Sequence, residues 1–395
     1  MSVKLGQVDE TGKVQEVLKH INALDGVRGV AILLVLFYHL FWSNTHTGNR
    51  VIDFIAQLRE SCWVGVDLFF ALSGFLITGI LFDSREDKHY FKNFYFRRVL
   101  RIFPLYYGVI LAFFLFFHGT LSTEKRPLYL LSVYLQNTPL WWHYMPKTTL
   151  VNSVSHLWSL AVEEQFYIVW PLIVFCVRDR RKLLWVTAGL AVAALVCRAC
   201  LLVQQAPFEE TYKMTICRAD SLLSGALLAL MVRGARETVL RYAAPCFWLA
   251  LAICCVIGWK SGNFDWETNY SINLFGYSVL AIGGAALIAM TLRPGSIASR
   301  LMSIGFLRFF GKYSYGIYVF HQIAWTFSAG GVALFLKNYI HSKVLFHILS
   351  TVIELGITIP IAVLSFHFFE TPFLRLKKYF NYVRPEVSHR IEAAR

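Results

Sequence analysis

Apolar runs of about 20 residues, the length at which an α-helix crosses the hydrocarbon layer of a bilayer, recur along the whole chain. The composition agrees: 56% of the residues are hydrophobic and only 16% charged, where a soluble domain carries about 25% charged residues. The chain is therefore predicted to be all-α, a polytopic integral membrane protein whose partner is the lipid bilayer itself. No long linker separates the runs. One membrane domain is expected over 24–372, between an N-terminal tail (1–23) and a basic C-terminal tail (373–395).

Ten spans are predicted, near 24–43, 62–82, 99–118, 158–177, 183–203, 217–233, 243–260, 272–292, 313–335 and 344–368. The stretch 127–141, "PLYLLSVYLQNTPLW", is also apolar, but it is short and broken by Pro127 and Pro139, so a re-entrant or interfacial piece fits it better. Charge supports this count. With ten spans and a cytoplasmic N-terminus, the inside segments carry 25 Lys and Arg and the outside loops 9. An eleventh span at 127–141 would put "RDRRK" (178–182) outside. The positive-inside rule favours ten spans with both termini cytoplasmic. Topology thus accounts for most of the net charge of +14, and nucleic acid is not an expected partner.

The polar first 23 residues show no cleavable signal, so the first helix is expected to stay in the protein. Most of the eight cysteines lie inside apolar runs, and their spacing suits neither a metal site nor a disulfide framework.

Four basic residues stay unexplained by topology: Arg28, Arg101, Arg198 and Arg218. A charge at membrane depth is costly and usually faces a cavity or a partner. The first span, "DGVRGVAILLVLFYHLFWS", carries Asp25, Arg28 and His39. Arg28 and His39 are eleven residues apart, which places them on one helix face and about 16 Å apart along the axis. Asp25 lies one turn earlier on that face. In "WVGVDLFFALSGFLITGILF", Asp67 falls in the outer half, and Ser73 and Gly74 sit near mid-depth. There a missing side chain admits either a ligand or a neighbouring helix.

In "FYFRRVLRIFPLYY", Arg97, Arg98 and Arg101 cluster at one end of the third span, level with Arg28. Arginine forks suit phosphate oxygens, although positive-inside anchoring also places arginines here. In "HLWSLAVEEQFYIVWPL", His156, Ser159, Glu163 and Tyr167 form one polar stripe, while Glu164 points about 100° away. Glu163 and His39 come out at nearly one depth, a candidate acid–base pair. In "GKYSYGIYVFHQ", Ser314, Tyr318 and His321 share a face; His321 is either a rival to His39 or a core histidine. Two polar layers result: a basic cytoplasmic one (Arg28, Arg97, Arg98, Arg101) and an outer one (His39, Asp67, Glu163).

These stretches resemble the membrane-bound acyltransferase 3 family, bacterial O-acyltransferases of surface polysaccharides and related acceptors. "ALDGVRGVAILLVLFYH" resembles its Arg-x10-His opening. "VDLFFALSGFLIT", "FYFRRVLRIFPLYY", "HLWSLAVEEQFYIVWPL" and "YSYGIYVFHQ" match its later motifs in the same order. The resemblance implies an acyl-CoA donor, usually acetyl-CoA, on the cytoplasmic side. The acceptor it implies is a hydroxyl of a glycan, lipid-linked sugar or other metabolite. It aligns Arg28 and His39 with the Arg-x10-His pair, Arg98 and Arg101 with the donor-end Arg-x-x-Arg pair, and Glu163 or Glu164 with the family's acidic residue. It implies no permanently bound cofactor and no metal, and a place in the bacterial cytoplasmic (inner) membrane. Some members carry a further extracytoplasmic domain; a chain ending at 395 is expected to resemble the stand-alone branch.

The catalytic residues expected on this reading are His39, Glu163 and Asp67, with Glu163 or Asp67 orienting the imidazole. Donor binding is expected from Arg28, Arg97, Arg98, Arg101, Ser73 and Gly74. Asp25, His156, Glu164, Tyr318 and His321 are further candidates. A multi-span transporter or flippase, or a membrane scaffold with structural ion pairs, are the other classes. Donor binding separates the transporter, and an effect of His39 substitution on turnover rather than stability separates the scaffold.

Overall fold

The computed structural model describes residues 21–40, 50–116, 125–144 and 149–382. Residues 1–20 of the expected N-terminal tail, residues 383–395 of the expected C-terminal tail, and the end of the first predicted span lie outside them. The described elements are all helical. Nine long helices make the frame: α1 (Asn22–Leu40), α2 (Gly65–Asp83), α3 (Tyr90–Phe116), α4 (Trp158–Cys176), α5 (Arg180–Val203), α6 (Thr215–Ser261), α7 (Tyr277–Thr291), α8 (Gly305–Tyr339) and α9 (Lys343–Leu364).

Among the described residues, eight stretches are long and apolar enough to cross a membrane. The predicted spans 217–233 and 243–260 are joined in α6, whose backbone leaves helical geometry at Ala235 (φ −145°, ψ 49°). The span predicted at 313–335 lies within the 35-residue α8. The stretch 127–141 contributes no long helix. It contains most of Lys125–Ser132 and the start of Pro139–Tyr144, two short helices, docked where the hydroxyl of Tyr106 donates to the Leu131 carbonyl at 2.8 Å.

The burial pattern is that of a protein whose solvent is lipid. In α5 the buried residues are Leu183, Thr187, Ala194, Arg198 and Leu202, a helical stripe that includes the polar members. Trp185, Val192, Val196 and Val203 on its other faces are exposed. Polar-inside and apolar-outside is the arrangement expected where the surroundings are hydrocarbon.

Two buried ion pairs tie the frame together. The guanidinium of Arg198 forks onto Asp220 at 2.9 and 2.8 Å and also donates to Ser278. Arg218 donates to Asp67 at 2.6 Å and faces the Tyr277 ring at 4.1 Å. Both arginines are fully buried. The four helices α2, α5, α6 and α7 are thereby linked through charges that the bilayer would otherwise penalise.

Close backbone approach sets the remaining contacts. A Cβ on Gly74 would collide with the Leu222 carbonyl, and one on Gly225 with the Ala71 carbonyl, so α2 and α6 touch through glycine on both sides. Between α1 and α8, Gly29 and Gly311 play the same part, facing the carbonyls of Leu307 and Asp25.

Candidate active site

Between α1, α2, α3, α4 and α8 lies a cavity of about 380 Å³. Its charged lining is Asp25, Arg28, Arg98, Arg101, Glu163 and Arg233. The cavity exists because each helix presents its polar stripe to the same space. α1 supplies Asp25 and Arg28, paired at 3.4 Å. α3 supplies Arg98 and Arg101, which lie against the rings of Tyr167 and Tyr315 at 5.8 and 5.9 Å. Three residues of the predicted stripe, Ser159, Glu163 and Tyr167, reach the cavity, whereas His156 lies in the turn Ser155–Leu157 before α4 and outside the lining. Ser73 joins them from α2, 2.5 Å from the Tyr167 hydroxyl. Ser73 and Tyr167 lie beside the Glu163 carboxyl, with Arg98 and Arg28 as its nearby cations. Arg233, at one edge, is already forked onto Asp83.

At the far end, the Tyr318 hydroxyl bonds Ser159 at 2.6 Å and donates to the His156 carbonyl at 2.5 Å. Behind Tyr318 stand three histidines. The rings of His156 and His321 have centroids 4.6 Å apart, and those of His321 and His39 are 4.9 Å apart, both edge-on. The Nδ1 of His39 bonds the Val35 carbonyl at 2.9 Å, and the Nδ1 of His321 bonds the Tyr318 carbonyl at 2.6 Å. A carbonyl only accepts, so Nδ1 carries a proton in both rings, and in a neutral imidazole that leaves Nε2 as the free base. The Nε2 of His321 and both ring nitrogens of His156 are buried with no hydrogen-bond partner among the described residues.

Several expectations are corrected by this geometry. Asp67 does not orient His39: its carboxylate is held by Arg218 and by the Ser221 hydroxyl at 2.9 Å. A fully buried guanidinium needs that charge, so Asp67 is committed to it. Glu163 does not pair with His39 either. It belongs to the arginine-lined cavity, and the ring neighbours of His39 are Tyr38 and His321. Equal depth along two helices fixes height but not azimuth. Arg97 turns from the cavity and donates to the Lys377 and Phe380 carbonyls, both at 3.2 Å. Gly74 faces Leu222, while its neighbour Ser73 faces the cavity, which divides the two roles that the sequence left open. Glu164 lies outside the cavity lining, near Tyr106, Tyr107 and Tyr134.

Sequence reasoning missed Tyr315 and Arg233 as lining residues. Arg233 ends the predicted span 217–233, where the positive-inside rule alone accounts for an arginine. Tyr315 lies next to the Ser314–Tyr318–His321 face, yet Arg101 reaches it from α3. Among the described residues, no group of His, Cys, Asp and Glu side chains could hold a metal ion.

Residues 21–367 match the acyltransferase domain of the acyltransferase 3 family. The peptidoglycan O-acetyltransferase OatA of Listeria monocytogenes is 30% identical over 390 residues, 93% of this chain and 57% of that protein. The putative peptidoglycan O-acetyltransferase YrhL of Bacillus subtilis is 29% identical, covering 95% of this chain and 58% of its own length. A putative O-acetyltransferase of Staphylococcus aureus is 27% identical over 376 residues. The chain thus spans somewhat under three-fifths of the length of these curated relatives. No solved structure matches it. With the match running from the foot of α1 through α9 and covering every cavity-lining residue named above, the chain belongs to the membrane-bound acyltransferase 3 family.

Proposed function

We propose that this chain moves an acetyl group from acetyl-CoA to a hydroxyl of a cell-envelope glycan. The observation that carries this reading is the single polar line running from three arginines to three histidines through Glu163, Tyr167, Ser159 and Tyr318. Arg28, Arg98 and Arg101 would bind the phosphates of the donor, since guanidinium forks match phosphate oxygens. The cavity volume suits the pantetheine arm rather than the whole donor, and sites of about 300–1,000 Å³ take small-molecule ligands. The relatives named as peptidoglycan O-acetyltransferases support a carbohydrate hydroxyl as acceptor.

In the reaction, Nε2 of His39 takes the acceptor hydroxyl proton as that oxygen attacks the thioester carbon. The carbon–sulfur bond breaks, and the thiolate leaves. The proton that left the acceptor oxygen ends on that sulfur, so charge and atoms balance. Tyr318 and Ser159 are hydroxyls positioned between the base and the cavity for that return. The apolar walls keep water from the thioester.

The topology that accompanies this reading has ten spans. α6 counts twice because of its break at Ala235, and α8 adds one. Both termini are then cytoplasmic under the positive-inside rule, and the membrane is the bacterial inner membrane.

The test is transfer of labelled acetyl by purified protein in lipid, including slow hydrolysis without acceptor. Wild type binds CoA and releases acetyl, His39→Ala binds without turnover, and Arg98→Ala binds weakly. A folded wild-type protein that binds no CoA overturns the donor assignment and revives the transporter reading.

A further inference from the structure

Past the family-matched residues, the chain folds back onto the cytoplasmic end of α3. Phe380 stacks on Phe96 at 4.7 Å with the planes 7° apart. Asn93 donates to the Asn381 carbonyl at 3.0 Å, and Arg97 bonds Lys377, Phe380 and Asn381. These contacts fix the short helix Leu376–Tyr379 beside the arginine cluster. The half-buried Lys377 has as its chief electrostatic neighbours Arg101, Arg98, Arg97 and Arg28, all of its own sign. The acids nearby are already engaged: Asp25 with Arg28, Glu163 with Arg98 and Arg28, and Glu370 beside Arg101. Among the described residues Lys377 has no ion-pair partner.

Gathering like charges at a partly desolvated site is unfavourable unless an anion joins them. The Arg97 contacts act on the backbone of the segment, so they keep residue 377 against the helix that carries Arg97, Arg98 and Arg101. We infer that Lys377 is a donor-binding residue, carried by a C-terminal strap that Arg97 pins over the arginine cluster, and that it contacts a phosphate of the CoA donor. The inference rests on the proposed donor and adds a binding residue that lies outside the family match at 21–367.

The experiment measures binding of CoA and of 3′-dephospho-CoA by calorimetry, with the full chain in lipid nanodiscs. Wild type is compared with Lys377→Met, Lys377→Arg and Lys378→Met, and each thermal midpoint is recorded. Lys377→Met should weaken CoA binding about tenfold, the scale of one charge-assisted contact. Lys377→Arg should restore it, and Lys378→Met should match wild type. Without ligand, Lys377→Met should melt no lower than wild type, because a repulsive charge has gone, while the upward shift given by CoA should shrink. A purely structural lysine would give the reverse pattern. A loss with CoA alone assigns the 3′-phosphate; a loss with both ligands assigns the pyrophosphate. Wild-type affinity in the folded Lys377→Met protein overturns the inference while leaving the donor reading intact. Failure of wild type to bind either ligand overturns both.

Discussion

The hydroxyl of Tyr318 lies 2.6 Å from that of Ser159, at the boundary between the arginine-lined cavity and the histidine stack. Few side chains touch both, and Tyr318 also contacts the rings of His156 and His321, at 5.3 and 5.6 Å. Replacing it with Phe keeps the ring and removes only the hydroxyl. Tyr318→Phe is expected to lower acetyl transfer by about tenfold or more, a barrier change of roughly 1.4 kcal/mol, with CoA affinity unchanged. Turnover and binding measured on the same preparation check this.

His321→Phe preserves a ring in the stack and deletes both nitrogens. If the stack serves proton movement, turnover falls by roughly 10²-fold, the usual scale of acid–base catalysis, while the protein melts as wild type does. A variant that loses stability but keeps its turnover per folded molecule would make His321 a packing residue.

Asp67 should behave in the opposite way to His39. Asp67→Asn leaves the guanidinium of Arg218 buried without its charge partner, which costs about 3–5 kcal/mol. The expected result is poor recovery and a lowered melting midpoint in lipid, whereas His39→Ala should melt near wild type and lose activity. Thermal unfolding of the two variants side by side separates framework from chemistry.

Gly74 and Ser73 are adjacent and should also part company. Gly74→Ala pushes a methyl into the Leu222 carbonyl, and overpacking of this kind costs about 1–3 kcal/mol. Ser73→Ala should fold normally and alter donor affinity or turnover, since its hydroxyl meets Tyr167 inside the cavity.

The helices and the arginine layer were legible in the sequence because both depend on one-dimensional signals. Apolar run length marks a span, and residues three and four apart share a helix face. Arg28, Arg98, Arg101 and the stripe Ser159–Glu163–Tyr167 were found in that way. Partnership between helices was not legible. Depth put Asp67, Glu163 and His39 in one layer, but rotation of α2 sends Asp67 toward Arg218, and rotation of α4 sends Glu163 toward Arg98. The joining of His39, His156 and His321 likewise depends on how α1 and α8 cross the chain before α4. No spacing within one helix reports it. Lys377 was invisible for a different reason: a lysine after the last span satisfies the positive-inside rule without any further role.

The glycine contacts between α1 and α8 have a consequence for substrate choice. Because Gly29 and Gly311 bring the two backbones into direct touch, α1 has little room to slide against the helix that carries Tyr318 and His321. Arg28 and His39 ride on that same α1. Their eleven-residue interval of about 16 Å is thus a fixed gauge between the cavity and the histidine stack. On the proposed function, a donor anchored by its charged end at Arg28 would present its reactive carbon about one gauge length away, so the reach of its arm would govern which donors fit.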